Sequence, residues 1–163
     1  MCRRLSKRLK LVQKLTTPRV QAGVFRTLWN GWTIAARFQR VQPCTLACSP
    51  TAEDRIEHYA CCGFYRRLVE WMGLDSRLVS RAGFLLVAPS MSDQEITLVS
   101  VAVYAMHRAT AHFRFRDPPT PSVVTDFLQQ MCRSAVFGHC STAVLEQATR
   151  YRHCPLHVDA VTE

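Results

Sequence analysis

The stretch 92–113, SDQEITLVSVAVYAMHRATAHF, decides the fold class. It opens with a capping box. The Ser92 hydroxyl is placed to accept from the Glu95 N–H, while the Glu95 carboxylate reaches back to the Ser92 N–H. Behind it Ile96, Val99, Val103, Met106, Thr110 and Phe113 recur every three or four residues, the period of one helix face. The spacing predicts a long helix with one side inward. Asp117-Pro118-Pro119-Thr120-Pro121 then blocks helix and sheet alike. Ser122 is positioned to cap a further helix that turns Val123, Val124, Phe127, Leu128, Met131, Ala135 and Val136 inward as far as Gly138. A last short helix is expected over 141–151.

Helical spacing continues toward the N-terminus. Leu5, Leu9, Val12 and Leu15 mark a helix over 2–16 whose other face is Arg and Lys. Thr17-Pro18 interrupts it, and Pro18 suits the first position of a second helix carrying Val20, Val24, Phe25, Leu28 and Trp29. Asn30-Gly31 is a breaker, after which 32–39 resumes a short turn with Ile34 and Phe38 inward. A loop of Cys, Pro, Ser and Thr fills 43–51. Ile56, Tyr59, Leu68, Trp71 and Met72 restore the helical pattern from Glu53 onward, with a kink at Gly63 and a stop at Gly73. Asp75 or Ser76 can cap a shorter helix over Leu78 and Val79. No hairpin signal and no useful alternating run occurs. The fold expected is all-α, a small helical domain with an inserted Cys/His zinc-binding loop. Its parts are a basic helical segment over 1–41, a zinc-loop and helical region over 42–115, and a C-terminal helical hairpin over 116–163 packed on the same core.

A length of 163 residues suits about one domain, and 48% hydrophobic with 20% charged residues suffices for a core. No apolar run is long enough to cross a bilayer. The net charge of +9 is unevenly placed. Ten basic residues precede the first acid, Glu53: Arg3, Arg4, Lys7, Arg8, Lys10, Lys14, Arg19, Arg26, Arg37 and Arg40. Such a field attracts polyanions, nucleic acid first among them. A solvated face and an Arg-rich organellar transit segment are the competing readings. The compartment implied is intracellular, nuclear or cytoplasmic, and a mitochondrial address is compatible with the same charge.

The eight cysteines come without a secretory apolar segment, which favours reduced thiols and metal ligands over a disulfide frame. Cys44 and Cys48 lie in the loop, and His58, Cys61 and Cys62 on the helix after it. Zinc takes four N or S ligands in a tetrahedron. His58 and Cys62 are four apart and share a helix face; Cys61 is three from His58 and can substitute. The competing reading is that free cysteines pack as small apolar residues. A second group, His139, Cys140, His153, Cys154 and His157, has weaker spacing. His107 and His112 read as structural, and Cys2 and Cys132 have no partner pattern.

Catalytic patterns are missing. The chain has no glycine-rich phosphate loop, no Gly-x-Ser-x-Gly, no His-Glu-x-x-His and no Asp-Asp pair. Glu53, Asp54 and Glu57 read as acids at a helix N-terminus. A Cys62–His58 dyad on one helix would lack an oxyanion donor. The expectation is a protein that is not an enzyme.

Several phrases together resemble a known family. Leu28-Trp29-Asn30-Gly31-Trp32-Thr33-Ile34-Ala35-Ala36-Arg37-Phe38-Gln39 resembles the Asn-Gly-Trp-x-x-x-x-Arg-Phe-Gln stretch that follows the polymerase in non-LTR retrotransposon (LINE-type) reverse transcriptases. Cys44-x-x-x-Cys48 with 53–62 is similar to their zinc-binding segment, and 103–110 to a helix further downstream. The resemblance covers roughly residues 24–115. It implies Cys44, Cys48, His58 and Cys62 as ligands of Zn²⁺, and a non-catalytic piece or remnant of a larger polyprotein that binds RNA or DNA. The chain departs from the family at Cys61-Cys62-Gly63, where the family carries one cysteine followed by proline, so the fourth ligand is Cys62 or Cys61. On this reading Arg3, Arg4, Lys7, Arg8, Lys10, Arg37 and Arg40 hold phosphates, while Trp29, Trp32 and Phe38 either stack on bases or pack in the core. The alternative is a metal-free helical protein-interaction domain using the apolar faces at 96–113 and 123–136.

Overall fold

The expected capping box forms. Ser92 Oγ accepts from the Glu95 N–H at 3.1 Å and the Ser92 N–H donates to Glu95 Oε2 at 2.7 Å. The helix it opens is the axis of the molecule. The structure is a computed structural model that describes residues 2–136, with helices α1 (Cys2–Leu15), α2 (Pro18–Leu28), α3 (Ile56–Tyr59), α4 (Gly63–Trp71), α5 (Arg81–Phe84), α6 (Asp93–Phe113) and α7 (Pro121–Val136). Two 3₁₀ turns, Ala35–Phe38 and Ser76–Leu78, complete the regular elements. The described residues contain no strand, so the fold is all-α. None of these helices is long and apolar enough to cross a membrane.

α6 is wrapped rather than one-sided. α1, α2, α4, α5 and α7 all pack on it, and along its length only Asp93, Gln94, Arg108 and Ala111 are exposed. The periodic reading missed this because Thr97 and Ser100 interrupt the apolar pattern, whereas Thr110 was already read as inward. The hydroxyls of all three donate to the helix's own carbonyls, of Asp93, Ile96 and His107 respectively. A hydroxyl satisfied in that way can be buried at little cost.

α1 and α2 form as expected, with Pro18 at the start of α2 and Asn30 in the left-handed region just past its end. Trp32 is fully buried, its Nε1–H donating to Thr27 Oγ1 at 2.8 Å and its ring against Tyr59, Phe84 and His107. Arg8 departs from the expected basic face. It is buried, and its guanidinium donates to the Leu86 carbonyl at 2.7 Å. Phe38, expected inward, is exposed, because the segment is a 3₁₀ turn whose inward residues are Ile34 and Ala35.

The helix expected from Glu53 with a kink at Gly63 is two helices. Residues 60–62 separate α3 from α4, and Cys62, with φ −57° and ψ 139°, is the N-cap of α4 rather than a mid-helix residue. Gly73 does stop α4, at φ 68°. Asp75 caps the 3₁₀ turn over Leu78 by accepting from the Arg77 N–H. α5, capped by Ser80, was not legible in the periodicity. α7 begins at Pro121, so Ser122 lies inside its first turn instead of capping it, and Val123 is exposed rather than inward. The expected helix over 141–151 and the His139, Cys140, His153, Cys154, His157 group lie outside the described residues.

Candidate metal centre

The loop after the first 3₁₀ turn has few apolar side chains and is shaped by backbone pairing. Pro43 and Glu53 form an isolated antiparallel bridge, with the Cys44 N–H donating to the Ala52 carbonyl at 2.7 Å and the Asp54 N–H to the Gln42 carbonyl at 2.9 Å. Within it a tight turn runs from Cys44 to Ala47, closed by the Ala47 N–H on the Cys44 carbonyl at 2.8 Å. Ala47 takes φ +52°, and that left-handed step returns the chain so that Cys48 faces the same way as Cys44. The strain at a non-glycine residue there is about 1–2 kcal/mol.

α3 and α4 bring the remaining ligands. The ligand atoms of Cys44, Cys48, His58 and Cys62 all lie within 4.8 Å of one another. Cys48 Sγ is 3.1 Å from His58 Nε2, so Nε2 is the imidazole atom turned inward. Cys44 and Cys62 are buried, Cys48 and His58 half-buried, and all three cysteines are free thiols. Cys61, the alternate ligand, is exposed and outside the cluster. The break between α3 and α4 explains the choice. His58 and Cys62 meet because Cys62 sits at an extended helix cap, not because they are one turn apart on a single helix.

The donor set fits a tetrahedral cation. Zinc–sulfur bonds of about 2.3 Å imply a sulfur–sulfur edge of roughly 3.8 Å, which falls inside the 4.8 Å that bounds the separations of the four ligand atoms. The titration shifts reflect how closely these donors crowd one another. Hydrogen bonds from Cys48 and Cys62 hold the Cys44 thiol well below its usual range. The hydrogen bonds of Cys44 and Cys48 raise His58 to about 10. The hydrogen bonds of Cys44 and Cys48, with burial, push the Cys62 thiol up. A bound cation would favour the thiolate and neutral imidazole forms that bind it.

A group that sequence reading missed supports the centre. Asp54, read as an acid at a helix N-terminus, is buried between elements. Its carboxylate accepts from the Ala35 N–H at 2.7 Å and from the Tyr59 hydroxyl, and lies 3.7 Å from the Arg114 guanidinium. Glu53 pairs instead with Arg55, and Glu57 alone occupies the first turn of α3.

The other expected site residues divide. Arg3, Arg4, Lys7 and Lys10 are exposed on α1, and Arg37 and Arg40 are exposed beside the metal loop. Arg8 is buried on a carbonyl and is not available to a phosphate. Of the aromatic residues, Trp32 is core, whereas Trp29 and Phe38 are exposed. His107 is buried, and His112 stacks on Phe127 with centroids 4.5 Å apart, so both are structural.

No family model, curated protein or solved structure matches this chain.

Proposed function

We propose that the chain is a zinc-clipped, non-catalytic helical module that binds nucleic acid through its phosphates, related to the segment that follows the polymerase in non-LTR retrotransposon reverse transcriptases. The observation that carries the metal reading is the convergence of three thiols and one imidazole within 4.8 Å. Thiolate-rich, four-membered sets suit zinc and disfavour the hard cations that seek oxygen. The loop they close has little core of its own, so a metal cross-link supplies stability that apolar burial does not. With His58 and Cys62 both committed as ligands, they form no nucleophile–base pair.

The polyanion reading is supported by charge of one sign. No acid precedes Glu53, and Arg3, Lys7, Lys10 and Lys14 recur along the exposed face of α1. The kinship with retrotransposon proteins is supported by the ordered phrases over 24–115. The second reading, a metal-free interaction domain, is favoured by one feature. Trp29 is 72% exposed and stacks on Phe25, which also lines a cleft with Leu5 and Leu9.

Native mass spectrometry of protein purified without added metal or chelator tests the centre. One zinc per chain is expected, lost in Cys44→Ser and Cys62→Ser and retained in Cys61→Ser. A metal-free but folded chain rejects the zinc reading in favour of the interaction domain. A salt titration tests phosphate binding separately. With six phosphates neutralised, affinity falls roughly 10³-fold between 50 and 200 mM salt, and a flat profile rejects it.

A further inference from the structure

Arg114 leaves the C-terminal end of α6 with its guanidinium over two phenyl rings, 5.6 Å from the Phe38 centroid and 5.8 Å from that of Phe115. Asp54 holds it from beneath. Both rings are uncovered, Phe38 at 53% exposure and Phe115 at 88%. They stand in an open cleft of about 550 Å³ whose remaining wall includes Arg37, Gln39, Arg40 and Gln42. Among the described residues no carboxylate lines it.

Two π-faces with a cation between them, two further cations and two side-chain amides form a specific combination. Phosphate alone needs only the cations. Carboxylates alone would pair with the cations and leave the rings uncovered. Unpaired bases joined by phosphates use all of it, since every base has a face to stack and edges to hydrogen-bond. A duplex hides those faces. We infer that this cleft holds single-stranded nucleic acid: Phe38 and Phe115 stack on unpaired bases, Arg37 and Arg40 take the adjoining phosphates, and the Gln39 and Gln42 amides meet base edges. This rests on the nucleic-acid reading above and adds the strand state and the base contacts.

The cleft is continuous with the metal loop. Gln42 lies two residues before Cys44, and its carbonyl accepts from the Asp54 N–H. Metal binding therefore holds one wall in place without touching the ligand. The basic stripe of α1 is a separate contact. Arg8, midway along α1, bonds the Leu86 carbonyl near the start of α6, whereas the cleft lies at its far end. The 21 residues of α6 span about 30 Å, so a polymer can engage both regions and a mononucleotide only one.

The test uses the full chain loaded with zinc and fluorescence anisotropy with three probes: a single-stranded oligothymidine of about 12 nucleotides, an abasic strand of equal length, and a duplex. The thymidine strand is expected to bind roughly tenfold or more tighter than the abasic strand. In Phe38→Ala/Phe115→Ala that advantage disappears while abasic binding persists. Phe38→Leu/Phe115→Leu, which keeps apolar bulk without a π-face, loses it too and guards against misfolding of the first variant. Arg3→Gln/Arg4→Gln/Lys7→Gln/Lys10→Gln weakens both strands alike. Equal binding of thymidine and abasic strands, a preference for duplex, or unchanged binding by both ring variants overturns the cleft and leaves phosphate binding standing. No binding of any probe at low salt overturns both.

Discussion

Asp54 shows what a single residue does here and why it was hard to see. Its carboxylate joins the 3₁₀ turn through Ala35, α3 through Tyr59 and the end of α6 through Arg114, three elements distant in sequence. Asp54→Ala leaves a tyrosine hydroxyl, a backbone N–H and a mostly buried guanidinium without their shared acceptor. The expected loss of stability is about 3 kcal/mol or more, measured by urea denaturation of the metal-loaded protein. Asp54→Asn, which keeps an acceptor but no charge, is expected to recover part of it; a value near zero for Asp54→Ala would mean the carboxylate is not buried among these partners. Nothing in Glu53-Asp54-Arg55 marks the middle residue as the buried one. Arg8 was read as a phosphate-holding residue and is instead buried, although the sequence held the contrary sign. It lies three residues after Leu5 and four before Val12, on the apolar face of α1, so its position already argued against a solvent-facing role. The four candidate ligands were legible from their residue types together with the family resemblance, whereas the choice of Cys62 over Cys61 depended on where the helix breaks.

At the scale of elements, periodicity recovered the long helices and failed at the short ones. α1, α2, α6 and α7 each carry enough turns for spacing to declare itself. α3 and α5 are four residues each, barely one turn, and are set by caps and packing. α5 depends on a glycine the pattern does not flag. A Cβ at Gly83 would sit 2.2 Å from the Leu78 carbonyl oxygen and 2.7 Å from Leu78 Cα, where the preceding 3₁₀ turn crosses beneath it. The obstacle is backbone, so no side-chain rotation relieves it. Gly83→Ala is expected to cost on the order of 1–3 kcal/mol despite the better helix propensity of alanine. A thermal or urea melt decides it: an unchanged midpoint would show that the turn and α5 can separate without loss. The effect should reach Trp32, because the neighbouring Phe84 packs on its ring, and fluorescence reports it in a Trp29→Phe/Trp71→Phe background that leaves Trp32 as the sole tryptophan.

The whole molecule carries a built-in sensitivity to acid that is independent of the metal. His107 lies in the C-terminal half of α6, buried, with Trp32 edge-on at 5.4 Å. Burial first, and then the charges of Arg26 and Arg108, lower it from 6.5 to about 4. Its carbonyl takes the Thr110 hydroxyl, and no carboxylate is among the groups that shift it. Below pH 6.5 the unfolded chain binds a proton that the folded chain refuses until about pH 4. The unfolded state therefore holds more protons across that window, and stability falls as pH falls through it. Between pH 7 and pH 5 the loss is roughly 2 kcal/mol. Acid would also protonate the thiolates of the candidate centre and release a bound metal, so the wild-type curve alone cannot isolate the histidine. A His107→Gln variant can, because metal loss is common to both proteins and cancels in the difference. Wild type is expected to lose roughly 2 kcal/mol more than His107→Gln from pH 7 to pH 5, read from urea unfolding at each pH. Parallel curves would show that His107 reaches solvent and titrates as an ordinary imidazole, and the packing of α2 and Trp32 against the C-terminal half of α6 would then be looser than described.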